Sequence, residues 1–297
     1  MTGQAVLRRS SGYGSHRSRA SVVVRLVLLC VLGFTMAMPF IWMVSASFKP
    51  RSEVDEVQVM PHRPTLQNYP IVLNLRPDPG TGEMLNLRFG RWYFNSIFLA
   101  LGTTVLQVVT SAMAAYAFSR LRWPGRDTVF LMYLSTMMIP WLILVIPNFQ
   151  IMVSLHWLNT YHGLIIPAAF SAFGTFLLRQ FMLSISPALD EAATIDGAGH
   201  ATIFWDIILP LARPGVIALA VITFLGAMQN LFWPLIMLNN DQYYPMSVGL
   251  LSLNNSYGLQ TELIMAATVM NIIPLIVLFV VFQKYLVQGL QLGSVKG

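Results

Sequence analysis

Six apolar runs, near residues 22–46, 93–118, 128–152, 161–183, 214–238 and 262–283, each approach the length at which an α-helix crosses a bilayer, about 20 residues. A helix satisfies its own backbone donors and acceptors where no water is at hand, so runs of this kind leave few other folds open. Composition agrees. With 56% hydrophobic and 10% charged residues and a mean hydropathy of +0.63, the chain has too little charge to cover a soluble globule of 297 residues. The sequence predicts an all-α, polytopic membrane protein. Pro39, Pro140, Pro147, Pro167, Pro234 and Pro274 lie within or at the ends of the runs, where each removes a backbone donor and can bend a helix around a cavity.

Basic residues set the expected orientation. Arg8, Arg9, Arg17, Arg19 and Arg25 precede the first run, Arg120, Arg122 and Arg126 separate the second from the third, and Lys284 and Lys296 follow the last. Those segments, and with them both termini, are expected in the cytoplasm. This arrangement and anionic headgroups account for the net charge of +6 without nucleic acid. The run Leu26–Ala46 is too long for a cleaved signal and predicts an uncleaved anchor. Residues 1–21, rich in Ser, Arg and Gly, read as a disordered cytoplasmic tail. Residues 22–92 read as the first span plus an extracytoplasmic loop, since Pro50, Pro61, Pro64, Pro70, Pro77, Pro79, Gly80 and Gly82 suit a loop more than a folded domain. Solute capture would need another protein. The core is expected over 93–285, with a cytoplasmic C-terminal tail at 286–297. Cys30 is the sole cysteine, which excludes an intrachain disulfide.

The polar interruption at 186–214 is the most informative segment. Ser186 can N-cap a helix, Pro187 suits its first position, and Asp190 and Glu191 place negative charge in the first turn. That helix should run to about Asp196 and end at Gly197-Ala198-Gly199, where glycine takes the left-handed conformation. A second short helix follows, with Ile203, Phe204, Ile207 and Ile208 on one stripe, until Pro210 and Pro214 stop it. The expected product is a helix-turn-helix knob.

Within this knob, Glu191-Ala192-Ala193, Ile195-Asp196-Gly197-Ala198 and Leu209-Pro210 resemble the cytoplasmic coupling loop of binding-protein-dependent ABC importer permeases. The resemblance extends to NSIFLA at 95–100, AAYAFSRLRWPGRD at 114–127, TMMIP at 136–140, LNTYHGLIIP at 158–167, FLLRQF at 176–181 and GSVKG at 293–297. Together these are similar to the maltose-type, carbohydrate-importing branch, over residues 22–297. The resemblance implies a six-helix type I ABC importer transmembrane domain in a prokaryotic cell membrane. It also implies a second homologous permease, two copies of an ABC ATPase that bind ATP and Mg, a soluble solute-binding protein and a carbohydrate substrate. In that family the knob enters a groove on the ATPase. Here Ala192, Ala193 and Gly197 would permit close approach and Glu191 and Asp196 would meet basic groups, with Ala198, Gly199, Leu209 and Pro210 completing the element.

The chain has no GxxxxGK[ST] loop of its own, so ATP hydrolysis is expected on a separate subunit and this chain is not expected to be an enzyme or to bind a cofactor. His16, His62, His156, His162 and His200 are scattered without metal-ligand spacing. Uncharged amides in or beside the runs, Asn95, Gln107, Asn148, Gln150, Gln229, Asn230 and Asn271, suit a neutral polyol or sugar. Gln229 and Asn230 are favoured because they precede Trp233-Pro234. Relatives commonly carry Trp-Asn and then an acid where this chain has Met228, Gln229 and Asn230. Tyr243, Tyr244 and Tyr257, in the loop near 239–261, are candidates for contact with the binding protein. The alternative class, a channel or secondary transporter independent of an ATPase, would usually place ionisable groups inside spans, and few are found there.

Overall fold

The computed structural model describes residues 19–54, 58–80, 82–257 and 260–292, and these contain helices and no strand. Most of the expected 1–21 tail and the GSVKG segment lie outside the described residues. The helices are α1 (Arg19–Ser47), α2 (Asn68–Val72), α3 (Phe89–Ser119), α4 (Arg126–Ser135), α5 (Val145–Ser154), α6 (Tyr161–Ile165), α7 (Ala172–Leu183), α8 (Ala188–Ile195), α9 (His200–Thr202), α10 (Leu209–Leu211), α11 (Arg213–Gln229), α12 (Phe232–Met237), α13 (Met246–Tyr257) and α14 (Thr261–Leu292).

Three of the six apolar runs form continuous helices long enough to cross a bilayer, α1, α3 and α14. The run 128–152 does not. Its two halves, Arg126–Met138 and Trp141–Ser154, meet at 89°, because Pro140 adopts φ −58°, ψ 124° and has no N–H to continue the ladder. The run 161–183 bends by 44° between Tyr161–Ala169 and Ala172–Leu183. The run 214–238 is straight to Gln229, breaks at Asn230 and resumes as α12. Taking each bent pair as one crossing gives up to six, the third pair being His200–Leu211 with Arg213–Gln229 at 76°.

At two of the breaks side chains bond nearby backbone groups. Ser135 and Thr136 donate to the carbonyls of Met132 and Tyr133, both at 2.7 Å, just before the Pro140 break. Thr110 of α3 donates to the Ala169 carbonyl, and Ser171 accepts from the Gly174 N–H at 3.0 Å to cap α7.

Helix α3 is the central member, with α7 and α11 packed on it and α1 lying against α14. Near the C-terminal end of α3, Ala112, Ala115 and Tyr116 pack with Leu178, Phe181, Met182, Ile203, Phe204, Ile208 and Leu219. At the opposite end, Ile71, Val72, Leu85 and Leu87 pack with Trp92, Met246, Leu253 and Leu263. Two loops read from the sequence are therefore more ordered than expected. Residues 48–88 carry α2 and bury apolar side chains on α13 and α14, and the 239–261 segment is largely α13. Their apolar residues are spaced too irregularly to announce a helix. The outward faces of α1 and α14 expose Leu28, Leu29, Phe34, Val277 and Val281, a surface that acyl chains cover.

Helices in lipid gain little from apolar burial against one another and associate by close fit. Gly174 is such a point: a Cβ there would lie 2.6 Å from the Ser111 hydroxyl and 3.2 Å from Leu219. Gly174→Val should force α7 off α3 and α11 at a cost of about 1–3 kcal/mol, read as a lower Tm of the detergent-solubilised chain.

Candidate coupling and translocation sites

The polar interruption forms two short helical segments around a glycine turn. Asp190 and Glu191 occupy the first turn of α8 as expected, but Ser186 makes no side-chain cap. Its carbonyl accepts from Leu189 N–H at 3.3 Å, and Pro187 stands at the cap position with helical φ −62° and ψ −23°. The helix ends at Ile195. Gly197 has φ +83°, and the Ala198 N–H donates to Ala193 O at 2.9 Å while the Gly197 N–H donates to Thr194 O at 3.0 Å. Those paired bonds make a Schellman turn, which needs a left-handed residue at Gly197.

The second segment runs unbroken through Pro210. Residues Ile203–Ile208 widen into a π-helix between α9 and α10, which moves carbonyls away from the Pro210 ring. The chain breaks instead at Ala212, and Pro214 sits in the first turn of α11. Ile203, Phe204 and Ile208 are buried and Ile207 packs beside them, so the expected stripe forms and seats the knob on the bundle.

This seating divides the small residues of the knob. Ala193 is buried in the same cluster, with Ala198 and Leu209 packed against it, whereas Glu191, Ala192, Asp196, Gly197, Gly199 and Pro210 are exposed. Ala193 therefore helps to seat the knob on the bundle. Ile195 is 86% exposed and Trp205 53%. From the sequence, Ile195 stood in the motif without a contact role and Trp205 was not singled out; the cue available for Ile195 was an apolar residue two positions ahead of a glycine stop. A third residue also escaped notice. Arg120, read as an orienting charge, has a side chain only 6% exposed and pairs with Asp190 at 3.1 Å.

A cavity of about 240 Å³ lies toward the opposite end of α3. It is lined by Ser96, Thr103, Gln107, Thr223, Asn230, Trp233 and apolar neighbours, and carries no charged side chain. Gln107 donates to the Thr223 hydroxyl at 3.0 Å. Asn230 stands at the break between α11 and α12, exposed, with its amide oxygen 3.4 Å from the Trp233 N–H. Gln229 is exposed and Asn271 half-buried on α14, and neither lines this cavity. Asn148 lines a neighbouring cavity with Trp141 and Asn230.

Asn95 belongs elsewhere. It is fully buried, donates to the Gln242 and Tyr244 carbonyls at 2.9 Å each and accepts from the Tyr161 hydroxyl at 2.8 Å. Asn159, at φ 55°, accepts from the Asn239 and Asn240 N–H groups at 2.6 and 3.0 Å. These bonds hold the 239–244 segment over the bundle end next to the cavity. Tyr243 stacks edge-on against Tyr161 at 5.1 Å and Tyr244 packs against the core, so both are half-buried. The Tyr257 side chain lies outside the described residues.

A helical bundle with broken spans, an uncharged cavity at one end and a capped knob at the other defines a membrane transport subunit. A family model described as "Binding-protein-dependent transport system inner membrane component" matches residues 107–292, and the chain belongs to that family. It is 33% identical over 270 residues to the arabinooligosaccharides transport system permease protein AraQ of Halalkalibacterium halodurans, covering 90% of this chain and 93% of that one. It is 32% identical over 282 residues to the trehalose/maltose transport system permease protein MalG of Thermococcus litoralis, covering 93% and 98%. Among solved structures, a chain of a bacterial ABC transporter involved in the import of the acidic polysaccharide alginate superposes with a TM-score of 0.78 at 28% identity, covering 90% of this chain and 98% of that one. The protein is thus a permease subunit of an ABC importer, in a cell membrane.

Asn95→Leu would leave the Tyr244 carbonyl without its donor and the Tyr161 hydroxyl without its acceptor, while Gln242 O and Tyr161 Oη keep Arg91, at a cost of about 1–3 kcal/mol. Amides of residues 239–246 should then exchange with deuterium faster than in the parent, while those around Ala193 stay as they were.

Proposed function

We propose that this chain imports a neutral carbohydrate as half of a permease pair, together with a related second permease and two copies of an ATPase that bind ATP and Mg. A soluble solute-binding protein delivers the sugar. Both termini and the 186–214 knob lie in the cytoplasm, as the arginine distribution requires, with six crossings between them. The knob docks on the ATPase and receives its motion. Its outward face, Leu189, Ala192, Ile195, Asp196 and Gly197, makes the contact.

The observation that carries this reading is Ile195. An aliphatic side chain 86% exposed at the tip of a well-capped turn, beside exposed Asp196 and Glu191, is an unfilled anchor of the kind that occupies a partner's pocket. Ile195→Glu should leave insertion intact, sharply reduce co-purification of the ATPase subunit and abolish uptake. Gly197→Val acts through the turn itself, since a β-branched residue at φ +83° is strained by about 1–2 kcal/mol, and should uncouple ATP hydrolysis from uptake. Normal coupled uptake in both variants would overturn the docking assignment.

The sugar is neutral because the cavity offers amide and hydroxyl groups with no cation to hold an acid. The relatives named for arabinooligosaccharides and for trehalose and maltose handle neutral sugars, and the alginate importer carries an acidic one. Gln107→Leu and Asn230→Leu should each lower the uptake rate, by about tenfold where one hydrogen bond is lost in the crossing state. Affinity of the binding protein for the sugar should not change. Unaltered uptake in both would remove this cavity from the pathway.

A further inference from the structure

Arg120 is the residue immediately after α3, and its guanidinium bonds three groups at a three-way junction. Through one terminal nitrogen it donates to Asp190 Oδ2 at 3.1 Å, in the first turn of α8. Through the other it donates to the carbonyls of Met182 and of Ile185, the latter at 2.8 Å, where α7 has just ended. The backbone N–H of Arg120 completes α3 by donating to Tyr116 O at 2.9 Å. One side chain therefore closes the C-terminal carbonyls of α7, neutralises a carboxylate of α8 and is itself fixed to α3. The guanidinium is planar and forked, which suits this set of diverging acceptors in a way an ammonium does not.

The apolar contacts between knob and bundle are of a different kind. Ala193, Ile203, Phe204 and Ile208 lie on Tyr116, Leu178, Phe181 and Met182, a packed surface along which one element can slide. A charged, part-buried three-point bond does not slide without breaking. Beyond Arg120, α3 runs back up the molecule to Gln107, Thr103 and Ser96, which line the cavity.

We infer that Arg120 is the positioning residue that makes α3 move with the knob, so that displacement of α8 reaches the cavity-lining side of α3. The inference rests on the importer reading above. Breaking the Arg120–Asp190 bond leaves the exposed docking face of α8 unaltered and removes the polar link between that face and α3, leaving the apolar contact of Tyr116 with Phe204 in place. The knob would still engage the ATPase, and its movement would no longer report on, or alter, the state of the cavity.

The test uses the whole importer, purified with its ATPase subunits and reconstituted in proteoliposomes. Co-purification of the parent chain with an ATP-hydrolysing subunit comes first; its absence would remove the functional reading itself, before any variant is made. Asp190→Ala spares the bonds from Arg120 to α7 and cuts only the link to α8. It should assemble like the parent and keep basal ATP hydrolysis, while stimulation by the sugar-loaded binding protein falls by about tenfold, a typical size for lost coupling between sites. Arg120→Met should do the same or worse, and Asp190→Glu should recover most of the stimulation by restoring a carboxylate. Parental stimulation and uptake in assembled Asp190→Ala would overturn the inference. So would failure of Arg120→Met to assemble alongside a fully coupled Asp190→Ala, since Arg120 would then serve folding alone.

Discussion

Backbone carbonyls and N–H groups in hydrocarbon have no water to turn to, and the organisation of this chain follows from how it meets that condition where helices break. Pro140, the 166–171 turn, Asn230 and the end of α7 each free backbone groups. Side chains bond backbone groups near each of them: the hydroxyls of Ser135 and Thr136, Thr110 reaching from α3, Ser171 capping α7, Asn230 toward Trp233, and Arg120 on the carbonyls of Met182 and Ile185. Two of these, Thr110 and Arg120, reach from a different part of the bundle. The breaks that would weaken a lone span thus become places where helices are tied together.

The same condition places the functional features. A straight bundle of apolar helices packs solidly, whereas α11 breaking at Asn230 opens the space lined by Gln107, Thr223 and Trp233. The 76° turn at Ala212 throws the His200–Leu211 segment across the bundle end and gives α8 a base to rest on. Cavity and knob are both consequences of interrupted α-helix, and both touch α3, the one along its N-terminal half and the other at its C-terminal end.

Much of this was legible in the residues. The length of the apolar runs matched α1 and α3 nearly to their ends and α14 at its start, though α14 continues beyond residue 283 to Leu292, and the sequence Ile195-Asp196-Gly197-Ala198 announced the turn that φ +83° at Gly197 realises. The π-helix ahead of Pro210 was not legible, because a proline one turn into an apolar stripe reads as a stop unless the neighbouring carbonyls have room to move aside. Nor was the folding of 48–88 and 246–257 onto one another, since their apolar residues have no period and are buried by partners distant in the chain.

The two amides of α3 mark the division most clearly. Asn95 and Gln107 are alike in chemistry and setting on one helix, and the sequence determined only that each could hydrogen-bond without charge inside a span. The tertiary structure decided which was free to meet a solute, by bringing Tyr161 and the 242–244 carbonyls to Asn95 and leaving Gln107 beside a single hydroxyl at a cavity wall. Arg120 and Asp190 divide in the same way: an orienting cation and a helix-start acid in the sequence, a buried bond in the fold. Span length and turn chemistry are local properties of a chain and are written in it. The use of a polar side chain depends on partners that only folding delivers.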